Sequence, residues 1–287
     1  MDSPIDIERP KTDLYVNGHA EPATAPIPAA VTFGTALPRW LGKIAEPRNA
    51  VPMLTILGIA LYLINIGGYP LYTKGEPREA VTIWDMVHGG GVILPMRAGI
   101  EIPSKPPLMH WFGALCSLAM GGVTEFSVRL PSATFAILGL IACFFYVRRL
   151  FGSVAGIVAA AIMGTTFQYL QAATGARVDM TLTFFMEVAF FEFILIAEDL
   201  TRRRLLLYLA LALAVLAKGP VGLLLPAATA LVWIATERRW DIIGKMAIVR
   251  GTIVVAAIAG GWYAAAIATG GHDFFHKQIV AENFARF

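Results

Sequence analysis

Apolar runs of membrane-spanning length constrain the fold of this chain more than any other feature of its sequence. An α-helix needs about 20 apolar residues to cross the hydrocarbon core of a bilayer, and several runs approach or exceed that length. Hydrophobic residues make up 57% of the chain and charged residues only 15%, a balance that excludes a soluble domain. We therefore predict an all-α polytopic membrane protein with apolar runs at 51–71, 106–123, 129–147, 154–170, 180–197, 205–217, 221–235 and 246–268.

Three clusters of basic residues set the predicted topology. They lie at residues 148–149, 202–204 and 238–245, and two apolar runs separate each cluster from the next. Since two crossings return a chain to the same side, all three clusters share one face, which the positive-inside rule makes cytoplasmic. We interpret the clusters as topology signals and predict no nucleic-acid partner.

The first fifty residues differ from the rest of the chain. They are rich in proline, alanine and charge, so we predict that residues 1–50 form a cytoplasmic, largely disordered tail. Residues 51–287 form the predicted transmembrane module. With the tail inside, the run at 106–123 cannot cross the membrane, and the prediction is about seven spanning helices plus one external interfacial helix. An external N-terminus with eight crossings is the alternative.

One long polar loop, residues 72–107, lies between the apolar runs and carries several acids and bases. In the predicted topology it is external, together with a turn at Asp179, a helix break at Lys218 and a C-terminal segment that contains Arg286. Charged groups beside apolar helix ends mark a ligand or an ion partner. Arginine and lysine both bind phosphate well. We therefore predict a ligand with an anionic group and an apolar chain, which means a lipid phosphate.

Seven short motifs occur in a fixed order between residues 75 and 287: GEPREA, SKPPLMHWFGAL, TEFSVRLPSA, RRLFG, ARVDMTLTFF, AKGPVGLLLP and FFHKQIVAENFARF. This ordered set resembles the ArnT-like, protein-mannosyltransferase-related glycosyltransferases of the GT-C class, from about Pro70 to Phe287. The resemblance implies a GT-C-like membrane enzyme that takes a sugar from a polyprenyl-phosphate donor on the external side of the membrane.

The same resemblance implies partners and a location. The partners are membrane lipid, the polyprenyl-phosphate sugar and a lipid or protein acceptor. The location is the bacterial inner (plasma) membrane, with the active site on the periplasmic side. Members of the family usually run well beyond this length, so we expect the chain to correspond to an N-terminal half. A C-terminal half or a partner subunit is a further candidate partner.

The resemblance also implies roles for individual residues. The first-loop motif of the family, Asp-Glu-x-Arg, reads Gly75-Glu76-Pro77-Arg78 here, so Gly75 replaces an aspartate thought to be central to catalysis. Glu76 is then the implied base that activates the acceptor hydroxyl, with Glu79 as the alternative, and Asp179 orients the sugar or the acceptor. The residues implied to hold the donor phosphate are Arg78, Lys105, Lys218 and Arg286.

Two further departures from the family bear on metal binding. Ser104 and Asn283 stand where the ArnT branch offers a glutamate and a histidine to a bound zinc. Serine and asparagine are poor zinc ligands. We therefore predict no metal site and no certain cofactor besides the lipid-linked sugar, with a divalent metal as the alternative.

Two other classes of function stay open from the sequence. Glu187 and Glu192 lie inside an apolar run, as the intramembrane carboxylates of a transporter or lipid flippase do. A non-catalytic half-protein that binds lipid phosphate is favoured by Gly75. Transfer of a labelled sugar distinguishes the enzyme from both alternatives.

Overall fold

The computed structural model describes residues 38–72 and 75–282, which fold into α-helices joined by short turns. The described residues form no β-strand, and one isolated bridge pairs Arg97 with Glu101. The helices are α1 (Arg39–Ile44), α2 (Pro47–Tyr62), α3 (Glu76–Val87), α4 (Leu108–Ala119), α5 (Glu125–Phe151), α6 (Ser153–Thr165), α7 (Phe167–Thr174), α8 (Val178–Ala197), α9 (Arg204–Lys218), α10 (Val221–Thr236), α11 (Asp241–Lys245), α12 (Ile248–Val255) and α13 (Gly261–Phe274). Two π-helical segments, Ala256–Gly260 and Phe275–Ala281, continue α12 and α13.

Three helical stretches of the described chain are long and apolar enough to cross a membrane. They are Glu125–Phe151, Val178–Ala197 and Ile248–Ala281, and α6 with α7 makes a fourth if this pair, bent by 67°, is one span. The predicted all-α, multi-pass membrane fold is therefore confirmed. The count of seven spanning helices stays a prediction. Helix α4 has 12 residues, a length of about 18 Å, which favours the predicted interfacial position over a crossing.

Helix α5 is the central helix of the fold, because α2, α4, α6 and α8 all pack against it. Its N-terminus is fixed by a capping box, in which Thr124 and Ser127 exchange side-chain and backbone hydrogen bonds. This exchange satisfies two backbone N–H groups that the first turn would otherwise leave without partners. The helix ends at Gly152, whose φ of +93° suits glycine and few other residues.

Two predicted spans differ from the structure. Helix α2 begins at Pro47 and ends at Tyr62, whereas the apolar run predicted a span at 51–71. The run at 154–170 breaks at Thr166, which has an extended conformation. The Tyr62 hydroxyl donates to the Gly164 carbonyl at 2.8 Å. That long-range bond satisfies a carbonyl beside the break. Apolar periodicity alone could not reveal the break.

Helices α8 and α9 are packed and antiparallel, and they define two ends of the molecule. Helix α8 has 20 residues, so it is about 30 Å long. Asp179 at its start meets Lys218 at the end of α9; we name this the site end. Glu198, just after α8, pairs with Arg239 at 2.7 Å; we name this the basic end.

The three basic clusters meet at the basic end. The Arg149 guanidinium donates to the Leu200 carbonyl, and Arg204 donates to the Lys245 carbonyl. Lys245 also pairs with Asp199 at 2.6 Å. Side-chain contacts thus link the clusters at 202–204 and 238–245 to each other. They also link the cluster at 148–149 to the turn just before residue 202, as expected of groups that share a face.

Candidate active site

The polar loop contains an amphipathic helix, α3, that packs on the membrane-spanning part of the chain. Ala80 and Ile83 of α3 are buried together with Met109 of α4 and Val128 of α5. Gly113 permits this packing, because a Cβ atom at that position would clash with the Ile83 side chain. Helix α3 is therefore a folded platform that holds Glu76 and Glu79 at defined positions.

Glu76, at the start of α3, forms a buried ion pair with Arg129 of α5. The Arg129 Nε atom donates to Glu76 Oε1 at 2.8 Å and its Nη2 atom to Oε2 at 3.1 Å. The Ala176 N–H donates to the same Oε1 atom at 2.9 Å. Since three donors engage this carboxylate and it is 3% exposed, its geometry favours an anchor for α3 over a base open to substrate.

Arg129 connects several further groups around this pair. Its guanidinium donates to three backbone carbonyls between α2 and α3, at 2.8 to 3.1 Å, and it lies 3.9 Å from the centre of the Tyr69 ring. The carbonyls belong to Ile66, Tyr69 and Pro70. Arg129 therefore joins α5, the segment after α2, and α3.

Glu79, one helical turn after Glu76, forms a second carboxylate pair. Its Oε2 atom lies 2.5 Å from Nε2 of His110 in α4. The His110 side chain is fully buried, whereas the Glu79 side chain is 13% exposed. The His110 Nδ1 atom has no hydrogen-bond partner among the described residues. A partly accessible carboxylate backed by an imidazole has the arrangement of a general base with its orienting group.

Asp179 lies between two cations at the start of α8. Its Oδ1 atom is 2.5 Å from Lys218 Nζ, and its Oδ2 atom is 3.0 Å from Arg177 Nη2. Gly75 is near this group, because a Cβ atom built on Gly75 would lie 3.7 Å from Arg177 Nε. The position where the family carries an aspartate thus borders the same cluster of charges.

Lys105 joins the polar loop to the C-terminal part of the described chain. Its Nζ atom lies 3.2 Å from Glu282 Oε2. Gln278 holds the loop beside it, since its Nε2 atom donates to the carbonyls of Pro103 and Lys105 at 2.7 and 3.1 Å. Both lysines, Lys105 and Lys218, line one narrow cleft; its other lining residues are Ser104, Pro106, Gly219, Pro220, Tyr263, Gln278 and Glu282.

The structure brings together three of the residues that the sequence nominated, Lys105, Lys218 and Asp179. Lys105 and Lys218 share the cleft, Asp179 contacts Lys218, and the two glutamates lie one turn apart on α3. The Arg78 side chain is exposed on α3 and does not line the cleft. It contributes to the field at Glu101, whose pKa is lowered chiefly by a hydrogen bond and the charge of Arg97. Arg286 lies outside the described residues.

Three residues that organise this end were not predicted from the sequence: Arg129, Arg177 and His110. Arg129 carries a signal that could have revealed it, because a charged residue just inside an apolar run requires a buried partner. His110 and Arg177 carry no such signal. Their partners, Glu79 and Asp179, are ordinary charged residues when only the sequence is considered.

The cleft gives no reason to place a metal in it. The side-chain oxygens that line it belong to Ser104, Tyr263, Gln278 and Glu282, and the Glu282 carboxylate is paired with Lys105. Zinc prefers imidazole and thiolate ligands. Among the described residues, no three histidine, cysteine or acidic side chains are grouped for metal binding. Asn283 lies outside those residues, so the predicted lack of a metal stays a prediction.

Comparison with known proteins adds an independent line of evidence. A family model described as dolichyl-phosphate-mannose-protein mannosyltransferase matches residues 104–263. An undecaprenyl phosphate-alpha-4-amino-4-deoxy-L-arabinose arabinosyl transferase 2 from Pseudomonas fluorescens is 26% identical over 215 residues, which are 73% of this chain and 38% of that protein.

Two solved structures have a similar fold. ArnT from Cupriavidus metallidurans, bound to undecaprenyl phosphate, aligns with a TM-score of 0.73 and 22% identity over 83% of this chain and 44% of that one. The yeast (S. cerevisiae) protein O-mannosyltransferase Pmt1–Pmt2 complex, bound to its sugar donor, aligns with a TM-score of 0.53 and 15% identity over 83% of this chain and 36% of that one. The predicted GT-C-like fold is confirmed. The chain spans 38% to 53% of the length of the curated relatives that it matches first.

Proposed function

Because the chain belongs to the dolichyl-phosphate-mannose-protein mannosyltransferase family, we propose that it acts in glycosyl transfer at a membrane. The proposed donor is a sugar linked to a polyprenyl phosphate, and the proposed acceptor is a lipid or a protein on the external face. The proposed location is the bacterial inner membrane, with residues 1–50 in the cytoplasm and the site end outside. Relatives support the donor class by name: the arabinosyl transferases act with an undecaprenyl-phosphate sugar.

The observation that carries this proposal is the pair of lysines in the cleft at the site end. Lys105 and Lys218 come from distant parts of the chain, and each is paired with a carboxylate, Glu282 and Asp179 respectively. A phosphate can take the place of a carboxylate beside an ammonium group, since both are oxyanions that accept charge-assisted hydrogen bonds. The two carboxylates therefore occupy positions suited to the oxygens of a donor phosphate.

The proposed chemistry is a displacement at the anomeric carbon of the sugar. The bond from that carbon to the phosphate oxygen breaks, and its electron pair leaves with the polyprenyl phosphate. The acceptor oxygen forms the new bond and loses its proton to a base. Lys105 and Lys218 stabilise the departing phosphate, because positive groups placed where negative charge develops lower the barrier.

Glu79 is the proposed base, and Glu76 is the proposed anchor of the loop. Glu79 is partly exposed, and the His110 imidazole lies within hydrogen-bond distance of its carboxylate and holds it in position. Arg129 and the Ala176 N–H donate to both oxygens of Glu76 and hold its carboxylate in place. Asp179 is the proposed orienting residue for the sugar or the acceptor, released from Lys218 when the phosphate enters.

Transfer of a labelled sugar from a polyprenyl-phosphate donor tests this proposal in proteoliposomes that contain the full chain. We expect Lys218→Met to lower transfer by about 10- to 150-fold, because this is the effect of losing one hydrogen bond to a charged group. Lys245→Met is the matched control, because Lys245 forms a similar pair with Asp199 at the basic end. Equal transfer by the two variants would refute a role for Lys218 in the site.

A second candidate function is binding of lipid phosphate without transfer. Gly75 favours it, because the family aspartate is replaced and Glu76 is already engaged. Retention of polyprenyl phosphate without any turnover would support this function over the enzyme. The transport alternative rests on Glu187, whose two carboxylate oxygens are buried without a hydrogen-bond partner among the described residues.

A further inference from the structure

A cavity at the basic end, about 30 Å along α8 from the site end, has the lining of a lipid-headgroup site. Its volume is about 760 Å³, within the range of small-molecule sites. Three arginines line it, Arg148 and Arg149 at the end of α5 and Arg203 just before α9. The rest of the lining is Ala142, Phe145, Tyr146, Gly152, Ser153 and Leu195.

In the part of the chain that the structure describes, the acids near these arginines pair with other groups. Glu198 and Asp199 lie in the adjacent turn, but Glu198 pairs with Arg239 and Asp199 pairs with Lys245. The Glu192 carboxylate is fully buried below the cavity, and it accepts a hydrogen bond from Tyr146 at 2.8 Å. Among the described residues, none of the three cavity arginines forms an ion pair. The cavity therefore carries a positive charge that an anion would neutralise.

Along α5, the apolar part of the cavity lining comes before the polar part. Ala142 lies seven residues before Arg149, a distance of about 10 Å along a helix. Phe145 lies between them and is 43% exposed, which places an apolar wall deeper in the membrane than the arginines. A phospholipid has the same order, with its anionic headgroup at the surface and its chains inside.

We propose that this cavity binds the headgroup of an anionic phospholipid, with the phosphate held by Arg148 and Arg203 and an acyl chain lying against Phe145. Arg149 donates to the Leu200 carbonyl and Arg148 Nε donates to Ser153 Oγ at 3.1 Å. These bonds hold two of the guanidinium groups in place beside the opening. Basic pockets between helices on the positive face suit anionic headgroups. The proposal is independent of glycosyl transfer at the site end.

Lipid retention by the purified full chain in nanodiscs, measured with labelled phosphatidylglycerol and with labelled phosphatidylcholine, tests this site. We expect phosphatidylglycerol to be retained preferentially. The double variant Arg148→Gln/Arg203→Gln should retain it about 30-fold less, because each basic group at an anionic surface adds to binding. The double variant Arg238→Gln/Arg250→Gln is the matched control, since it removes two charges outside the cavity lining and should retain the lipid.

Three results would overturn the proposal. Equal loss in the two double variants would mean that surface charge alone attracts the lipid. Unchanged retention in the cavity variant would exclude the arginines. Competition by free glycerol phosphate as strong as by the lipid would make this a site for a soluble phosphate.

A second measurement leaves the arginines unchanged, and so it stands even if the cavity variant does not fold. p-Benzoylphenylalanine in place of Phe145 should crosslink to labelled phosphatidylglycerol in preference to phosphatidylcholine. Equal crosslinking of the two lipids would contradict the proposal.

Discussion

Replacement of Arg129 by methionine is the sharpest test of how the candidate site is held together. Arg129 is fully buried, and its removal takes a charge partner away from the buried Glu76 carboxylate. It also removes donors from three backbone carbonyls. Removal of one partner from a buried ion pair costs about 3–5 kcal/mol. Because the unsatisfied carbonyls add to that cost, we expect Arg129→Met to lower the free energy of unfolding by at least about 3 kcal/mol.

Thermal and denaturant unfolding of the detergent-solubilised protein measure this effect. The double variant Glu76→Gln/Arg129→Met should be less destabilised than the sum of the two single variants, because neither charge is then left buried alone. Additive single and double effects, or a loss below about 1 kcal/mol for Arg129→Met, would refute the buried pair as the anchor of α3. Glu76→Gln should keep transfer per folded molecule at low temperature, since the proposed role of Glu76 is to anchor α3 and not to act as the base.

Three further predictions concern the site end. Glu79→Gln should lower transfer by about 10²- to 10⁴-fold at unchanged thermal stability, and unchanged turnover would exclude Glu79 as the base. Gly75→Asp should fold, because a Cβ at that position meets only ordinary contacts beside Arg177. Its carboxylate restores the missing acid and should raise transfer. Lower transfer by a well-folded protein would contradict this. Since Arg97 lowers the pKa of Glu101 below 4.5, this pair should stabilise the loop above about pH 4.5 and lose that effect as the pH falls through the lowered pKa. Hydrogen exchange of the loop checks this, and Arg97→Gln should weaken the pH dependence, because Arg97 makes the largest contribution and Lys277 and Arg78 make smaller ones.

The membrane fold was predictable because it depends on local composition. The apolar runs at 180–197, 205–217 and 221–235 lie within the bounds of α8, α9 and α10. The apolar runs gave wrong helix bounds at two places where residues distant in sequence are in contact. Helix α2 ends at Tyr62, and the α6–α7 break lies where that tyrosine bonds the Gly164 carbonyl. No residue near the break signals it, because the partner is 102 positions away along the chain.

The candidate site was predictable in its residue types and not in its pairings. Basic residues beside apolar helix ends indicated a phosphate ligand, and Lys105 and Lys218 do line one cleft. The division of roles between Glu76 and Glu79 depends on which helix each side chain faces. Glu76 meets Arg129 of α5, whereas Glu79 meets His110 of α4. Those contacts join residues 53 and 31 positions apart in the sequence. They depend on how the helices pack, which short motifs do not reveal.

Binding of labelled undecaprenyl phosphate to the purified full chain shows whether Lys105 and Lys218 hold the donor phosphate. The double variant Lys105→Met/Lys218→Met should bind this lipid at least about 10-fold more weakly than the unchanged protein. Lys245→Met should bind it normally, and undecaprenol, which lacks the phosphate, should bind weakly and equally to all three proteins. Unchanged binding of undecaprenyl phosphate by the double variant would contradict the account.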